Sequence, residues 1–459
     1  MRAPWLALLG SLVLAAACGP PQTAGAGSET TPPREEPDDA EGEGGETRTE
    51  PAEVGGREPT LQERAVIQRL SLMAERVRGL AFERPVDVAI QDRDQIVEHL
   101  TEQIIEEDLA KARVVYVALG LLPPDIDLRD VLERVLGEQV VGYYDHDTAH
   151  LVVRDDVMHT LGRSRALPVD EARVTIVHEL VHALQDQRLG LSEHMDEDTD
   201  TDPENAYHAL VEGDATLAMI GYMTEQAGGR LEWITRNPAQ LRMVLGQAPP
   251  IGDENLSNAP AIVRIPLVSA YLDGLVFAAS LHGRGGWRAV DAAHRALPAS
   301  SEQILHPDLY EQGELPDAIA IGELPELTAA GLTVFDEDSL GELELSVYMG
   351  QLDGSANAAA AAGWSGDRLR VYRDAQEATS VVWFMAFDDE GEAREAEDAA
   401  RRVRAAAPPA EQARQSLLRI GRGLLLTRQL DAGLLPPVER AFGAFARSLP
   451  PSPPHTPPP

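Results

Sequence analysis

His178-Glu179-Leu180-Val181-His182 places two imidazoles four residues apart with an acid between them. On a helix, residues i and i+4 share a face about one turn apart, so both rings can reach a single zinc ion. Glu179 then sits beside the metal without ligating it, where it can act as general base toward a water. Zinc lowers the pKa of such a water to about 7, which makes the attacking species available near neutral pH. Val174, Val177, Val181 and Leu184 surround the motif and point to a buried helix. That argues against the competing reading, a surface helix with two solvated histidines.

A catalytic zinc site usually takes three protein ligands and keeps a position open. A third histidine close behind the motif is absent, since Gln185 and Arg188 stand where that pattern has glycine and histidine. Glu212 is the candidate third ligand, 30 residues beyond His182. Its setting carries the weight: Ala209-Leu210-Val211-Glu212-Gly213-Asp214-Ala215 is otherwise largely apolar, and a carboxylate inside an apolar helix is costly unless paired or metal-bound. Asp214 and His194 are the alternative ligands, and a partly solvated face shared with Asp214 is the structural alternative.

The elements that must hold these groups are legible from periodicity. Residues 61–79, 93–119, 170–188, 268–281, 287–296 and 390–404 have helical spacing, and 203–228 reads as a helix opening on Asp202 as cap. Residues 86–90 alternate as a strand, and 139–144 with 149–153 form a hairpin across Asp145-His146-Asp147-Thr148. Strands are expected at 368–372 and 379–387. The expected fold is α+β, with a zincin-like catalytic region whose N-terminal part is mostly helical and a smaller α+β C-terminal region.

The segment HELVHALQDQ, 178–187, together with Glu212-Gly213-Asp214-Ala215, resembles the gluzincin branch of zinc metallopeptidases. The chain is more closely similar to exported bacterial lipoproteins that carry the motif. Gly142-Tyr143-Tyr144-Asp145, Tyr271-Leu272-Asp273-Gly274, the segment 301–307 and Gly363-Trp364-Ser365-Gly366-Asp367-Arg368 carry that likeness. The resemblance implies hydrolysis of peptide bonds in a peptide or protein substrate, and an edge strand from 139–144 that pairs with substrate. Well-studied gluzincins have a longer pattern around the third ligand, and its absence here leaves the substrate class open. Tyr143, Tyr144, Tyr271 and His306 are candidates for stabilising an oxyanion, and Asp214 for orienting a ligand. For each tyrosine, a core aromatic with a satisfied hydroxyl is the competing reading. Ser300 and Gln303 read first as a capping box, and Trp364 as packing.

Composition sets the outer limits. The chain has 459 residues and a formal charge of -37, and a field of that sign repels nucleic acid and anionic membrane surfaces. A single cysteine, Cys18, excludes an intramolecular disulfide and a cysteine metal cluster. Arg2 and the apolar run 4–17 have the order of a secretory signal, shorter than the roughly 20 residues that span a bilayer. Leu14-Ala15-Ala16-Ala17-Cys18-Gly19 resembles a bacterial lipobox, with Ala15 where leucine is usual; an ordinary cleaved signal is the alternative. The expected organisation is a lipoprotein signal at 1–18 and an acidic Pro/Gly-rich tether at 19–60. A metallopeptidase region at 61–314, an α+β region at 315–448 and a Pro-rich tail at 449–459 complete it. The functional expectation is a zinc peptidase in the bacterial cell envelope, lipid-anchored to a membrane through Cys18. An inactive metal-binding or ligand-binding lipoprotein of the same fold is the alternative.

Overall fold

Helix α1 (Leu61–Arg78) starts where Thr60 and Glu63 close a capping box and ends at Gly79, whose φ of 75° suits glycine best. The computed structural model describes residues 54–103, 105–136, 141–163, 171–195, 199–245 and 254–450. The signal segment, Cys18, most of the expected tether and nearly all of the tail lie outside these residues. The end of the expected tether is held in the fold. Arg57 pairs with Ile90 through two backbone hydrogen bonds, and its guanidinium joins Glu63 to Asp155 at 2.9 and 2.6 Å.

Strands β1 (Asp87–Gln91), β2 (Gly142–Asp145) and β3 (His150–Arg154) form a sheet in the order β1-β3-β2. β1 runs parallel to β3 and β2 antiparallel to it, so β2 is an edge strand beside the motif helix. It is described from Gly142; residues 139 and 140 of the expected strand lie outside the described residues. The single helix expected over 93–119 is two, α2 (Arg93–Glu102) and α3 (Glu106–Leu119), the first opened by an Asp92–Gln95 capping box.

The motif lies on α4 (Glu171–Leu189), stopped by Gly190 at φ 75°. Glu212 lies on α5 (Thr201–Gln226), which starts two residues before the expected Pro203 with Asp200 at the N-cap. Asp202 is therefore no cap; it is buried and accepts a 2.8 Å hydrogen bond from the Ser301 backbone N–H. Helix α6 (Ala261–Gly285) extends the expected 268–281 at both ends. It is apolar enough by length and composition to cross a membrane, yet 67% of its most apolar window is buried and it packs chiefly on α5. The contact is glycine to glycine. A methyl group on Gly213 would collide with the Gly274 carbonyl, and one on Gly274 with that of Ala209.

The C-terminal region is an antiparallel sheet in the order β4-β5-β6-β8-β7: β4 (Thr333–Asp338), β5 (Trp364–Arg373), β6 (Thr379–Phe387), β7 (Gln415–Ile420) and β8 (Gly423–Arg428). Both faces of β6 are covered, which is why Val381-Val382-Trp383-Phe384-Met385 reads as an unbroken apolar run. Helices α7 (Gly341–Gly350) and α8 (Glu390–Ala406) lie on one face. The chain is thus α+β, mostly helical to about residue 314 and sheet-based beyond. One apolar core runs from Val66 through Val177 to Trp383 and Leu426, so packing continues across the expected boundary at 315.

Candidate metal centre

Residues 174–185 of α4 are buried throughout, as expected of a helix that is apolar on every side except where its polar groups find partners. His178 and Glu179 have no exposed surface, and His182 and Glu212 are 4% and 5% exposed. The Nε2 atoms of His178 and His182 are 3.0 Å apart, and Glu212 Oε2 lies 3.1 Å from the first and 3.5 Å from the second. Three ligands of a tetrahedral ion at metal–ligand distances of about 2.0–2.1 Å would stand about 3.3 Å from one another. The three atoms match that triangle, so the cluster could hold a metal ion. Burial works against charge on both His182 and Glu212, but each outweighs it for the other. His182 is raised to about 9, and Glu212 is held well below the usual carboxylate range. His178 is held below its ordinary value, first by burial and then by His182.

Gln185, the residue that breaks the third-histidine pattern, orients His182. Its amide nitrogen donates to Val211 O at 2.9 Å and to Asp214 Oδ2 at 3.1 Å, which turns its oxygen toward His182 Nδ1 at 2.8 Å. An amide oxygen only accepts, so Nδ1 keeps its proton, and when the ring gives up its second proton the lone pair is left on Nε2, facing Glu212 and His178. His178 has no comparable bond, because its Nδ1 is buried without a partner.

Asp214 stands behind this relay. It forms an ion pair with Arg78, whose Nη2 donates to Oδ2 at 3.0 Å, and lies 3.0 Å from His294 Nε2; Arg78 also reaches Asp291 at 2.7 Å and lies over the Trp287 ring. Burial would raise Asp214, but Arg78 and His294 drive it well below the ordinary range. Arg78, Gln185 and His294 were not among the expected site residues. Arg78 is one of two arginines in the last turn of its helix, so nothing local set it apart.

Glu179 Oε2 accepts a 2.9 Å hydrogen bond from the Tyr144 backbone N–H, so edge strand β2 fixes the acid. The Tyr144 hydroxyl donates to Asp186 Oδ2 at 2.6 Å, away from the triad. Tyr143 packs against His99 on the other side of the strand, rings 5.9 Å apart. Tyr271, on α6 one turn before Gly274, does join the triad. Its ring is 6.1 Å from that of His178, and its buried hydroxyl lies beside the Glu212 carboxylate. Burial first, then the Glu212 and Glu179 carboxylates, push that hydroxyl well above its ordinary pKa, so it stays a donor. His306 instead pairs with Glu342 at 3.0 Å. His194 lies against Tyr207, rings 5.6 Å apart, outside the ligand cluster. Ser300 caps the helix that begins at Ser301 by accepting from Gln303 N–H, while the Gln303 side chain takes the Ala299 N–H, so the box is only half formed. Trp364 is buried, and its indole N–H donates to Asp367 at 3.0 Å.

A family model described as a domain of unknown function (DUF8575) matches residues 332–429, the sheet of the C-terminal region and not the metal centre. No curated protein and no solved structure matches the chain.

Proposed function

We propose that the protein is a zinc-dependent peptidase with a zincin-like site, in which His178, His182 and Glu212 hold the metal and Glu179 is the general base. The observation that carries this reading is the convergence of three buried ligand atoms beside an acid that is tied to an edge strand and not to the cluster. Two nitrogens and one carboxylate oxygen are a donor set suited to zinc, which when bound supplies Lewis acidity to a water and to the scissile carbonyl. The chain's own residues do the rest. Gln185 holds the His182 tautomer, the Tyr144 N–H aims Glu179, and the Tyr271 hydroxyl, buried beside Glu212 and kept protonated, is the donor best placed for a developing oxyanion. Glu179 takes the proton from the attacking water and passes it to the leaving amine.

Elemental analysis of the purified protein tests the centre. Wild type should carry close to one zinc per chain, and His178→Ala and Glu212→Ala should carry almost none. Wild type free of zinc would remove the basis of the proposal. In the same reading Cys18 anchors the enzyme to a membrane of the bacterial envelope. Fractionation of wild type and Cys18→Ser tests the anchor, and equal membrane association of the two would refute it.

A further inference from the structure

Ile265, Val268, Leu272 and Val276 recur every third or fourth residue along α6 and form one apolar stripe on that helix. With Leu305 and Leu343 they line a cavity of about 290 Å³ between α6 and α7, where the helical part meets the C-terminal region. Ligand pockets run from about 300 to 1,000 Å³ and favour such joints, so this one suits a small ligand. Neither the triad nor Tyr271 lines it, so it is separate from the metal centre. Its polar groups are matched within the protein, with one exception. Asp273 pairs with Arg242 at 3.0 Å and accepts from the Ser269 hydroxyl at 2.7 Å. Glu342 pairs with His306 at 3.0 Å, a contact that holds His306 above its ordinary pKa. The Ser346 hydroxyl donates to Leu343 O at 2.6 Å. Arg264 donates only to a carbonyl, Gly354 O at 2.9 Å, and among the described residues no carboxylate comes within ion-pair distance of it. A guanidinium stays charged in proteins, so the cavity wall carries one positive charge that no described residue balances, in a chain of formal charge -37.

We infer that this cavity binds an aliphatic monocarboxylate, with its acyl chain along the α6 stripe and its carboxylate on Arg264. The chemistry is complementary at both ends. An apolar chain fits a wall of leucine, isoleucine and valine, and one negative charge answers the one cation left unpaired. A cationic amphiphile would meet Arg264 with no anion between them. A peptide C-terminus carries the same charge, but its carbonyls would need donors, and those of Ser269 and Ser346 are already given to Asp273 and Leu343 O. Burying an amide without a partner is costly, which favours the acyl chain. The inference does not depend on the metal centre or on turnover.

The probe is radiolabelled octanoate, measured by equilibrium dialysis against the full-length protein in mildly acidic buffer, where His306 is charged and Glu342 balanced. Unlabelled butanoate, octylammonium and acetyl-leucyl-leucine serve as competitors. Octanoate should bind saturably. Butanoate should compete about tenfold or more weakly for want of apolar burial, and octylammonium about tenfold or more weakly for want of the charge pair. Arg264→Gln should weaken octanoate about tenfold or more, and Val268→Trp, which fills the cavity, should abolish binding, each with a thermal midpoint near that of wild type. If the tryptophan variant does not fold, Arg264→Gln decides alone. No saturable binding, octylammonium competing as well as octanoate, or an affinity unchanged in Arg264→Gln would overturn the inference. Stronger competition by acetyl-leucyl-leucine than by octanoate would overturn the acyl chain as occupant.

Discussion

Helix α5 runs through two buried polar clusters that hold their acids in opposite ways. In its middle, Glu212 and Asp214 are matched by opposite charge, from His182 and Arg78, and both stay ionised despite burial. At its N-terminus, where the C-terminal region docks, Asp202 accepts from the backbone N–H and the hydroxyl of Ser301, with the Glu342 and Asp367 carboxylates nearby. Burial there pushes Asp202 up to about 8 and Glu302 to about 9, and Glu344, which accepts from the Tyr116 hydroxyl, is raised well above the ordinary range. Asp367 collects donors from both Trp364 and Trp383 indoles and from the Leu340 and Gly341 N–H groups, and is raised as well. Charge compensation thus builds a place for a cation, while neutral hydrogen bonding builds a joint between regions.

The same substitution at the two places should separate them most clearly. Asp214→Asn leaves buried Arg78 without its main counter-charge and should cost about 3–5 kcal/mol. Asp202→Asn, which replaces a neutral acid by an amide with the same acceptor, should cost less than about 1 kcal/mol near pH 7. Urea unfolding of both variants checks this, and similar costs would erase the distinction.

Metal affinity sharpens it further. Glu212→Gln should weaken zinc binding far more than Gln185→Leu, which removes only the group that orients His182 and should lower affinity by about 10–100-fold. Competition with a chelator gives both constants. If Gln185→Leu has no effect, the relay is structural and not a support for the ligand.

The joint has a pH signature of its own. An acid whose folded pKa is raised is protonated in the fold, while the unfolded chain loses that proton near pH 4. Its stabilising contribution is therefore full below about pH 4 and fades as pH rises toward 8 to 9, the range set by Asp202 and Glu302. Unfolding free energies measured from pH 5 to 9 should fall with pH, and Asp202→Asn should flatten the fall. A wild-type profile that rises across this range would contradict the assignment.

Much of the candidate metal centre was legible locally. His178, Glu179 and His182 share a motif, and Glu212 stood out because a carboxylate interrupts an apolar stretch. Their orienting groups were not legible, since Arg78 and His294 reach Asp214 from 136 and 80 residues away in sequence. Gln185 was visible only as a departure from another pattern. The same reason explains Asp202: a residue before a proline reads as a helix cap, and only the docking of Ser301 and Gly341 against it gives it a different task. The expected helix over 93–119 is two because a first helix ends at Glu102 and a second starts at Glu106, while the helical spacing in the sequence runs on across that break. The strand expected at 368–372 is the second half of a longer one that starts at Trp364, and the strand at 379–387 was recognisable by its apolar run, whereas the continuity of the core across residue 315 depends on contacts no local pattern records.

The most direct test of the account separates base from ligand at Glu179. Its carboxylate is held by the Tyr144 N–H and stands outside the trio of ligand atoms. Zinc stoichiometry is measured for wild type and Glu179→Gln, alongside cleavage of a broad library of unstructured peptides. The account predicts nearly equal zinc in both and a fall of about 10²–10⁴ in turnover for the variant, the usual worth of a general base. Loss of zinc in Glu179→Gln, or a zinc-loaded wild type that cleaves nothing, would contradict it.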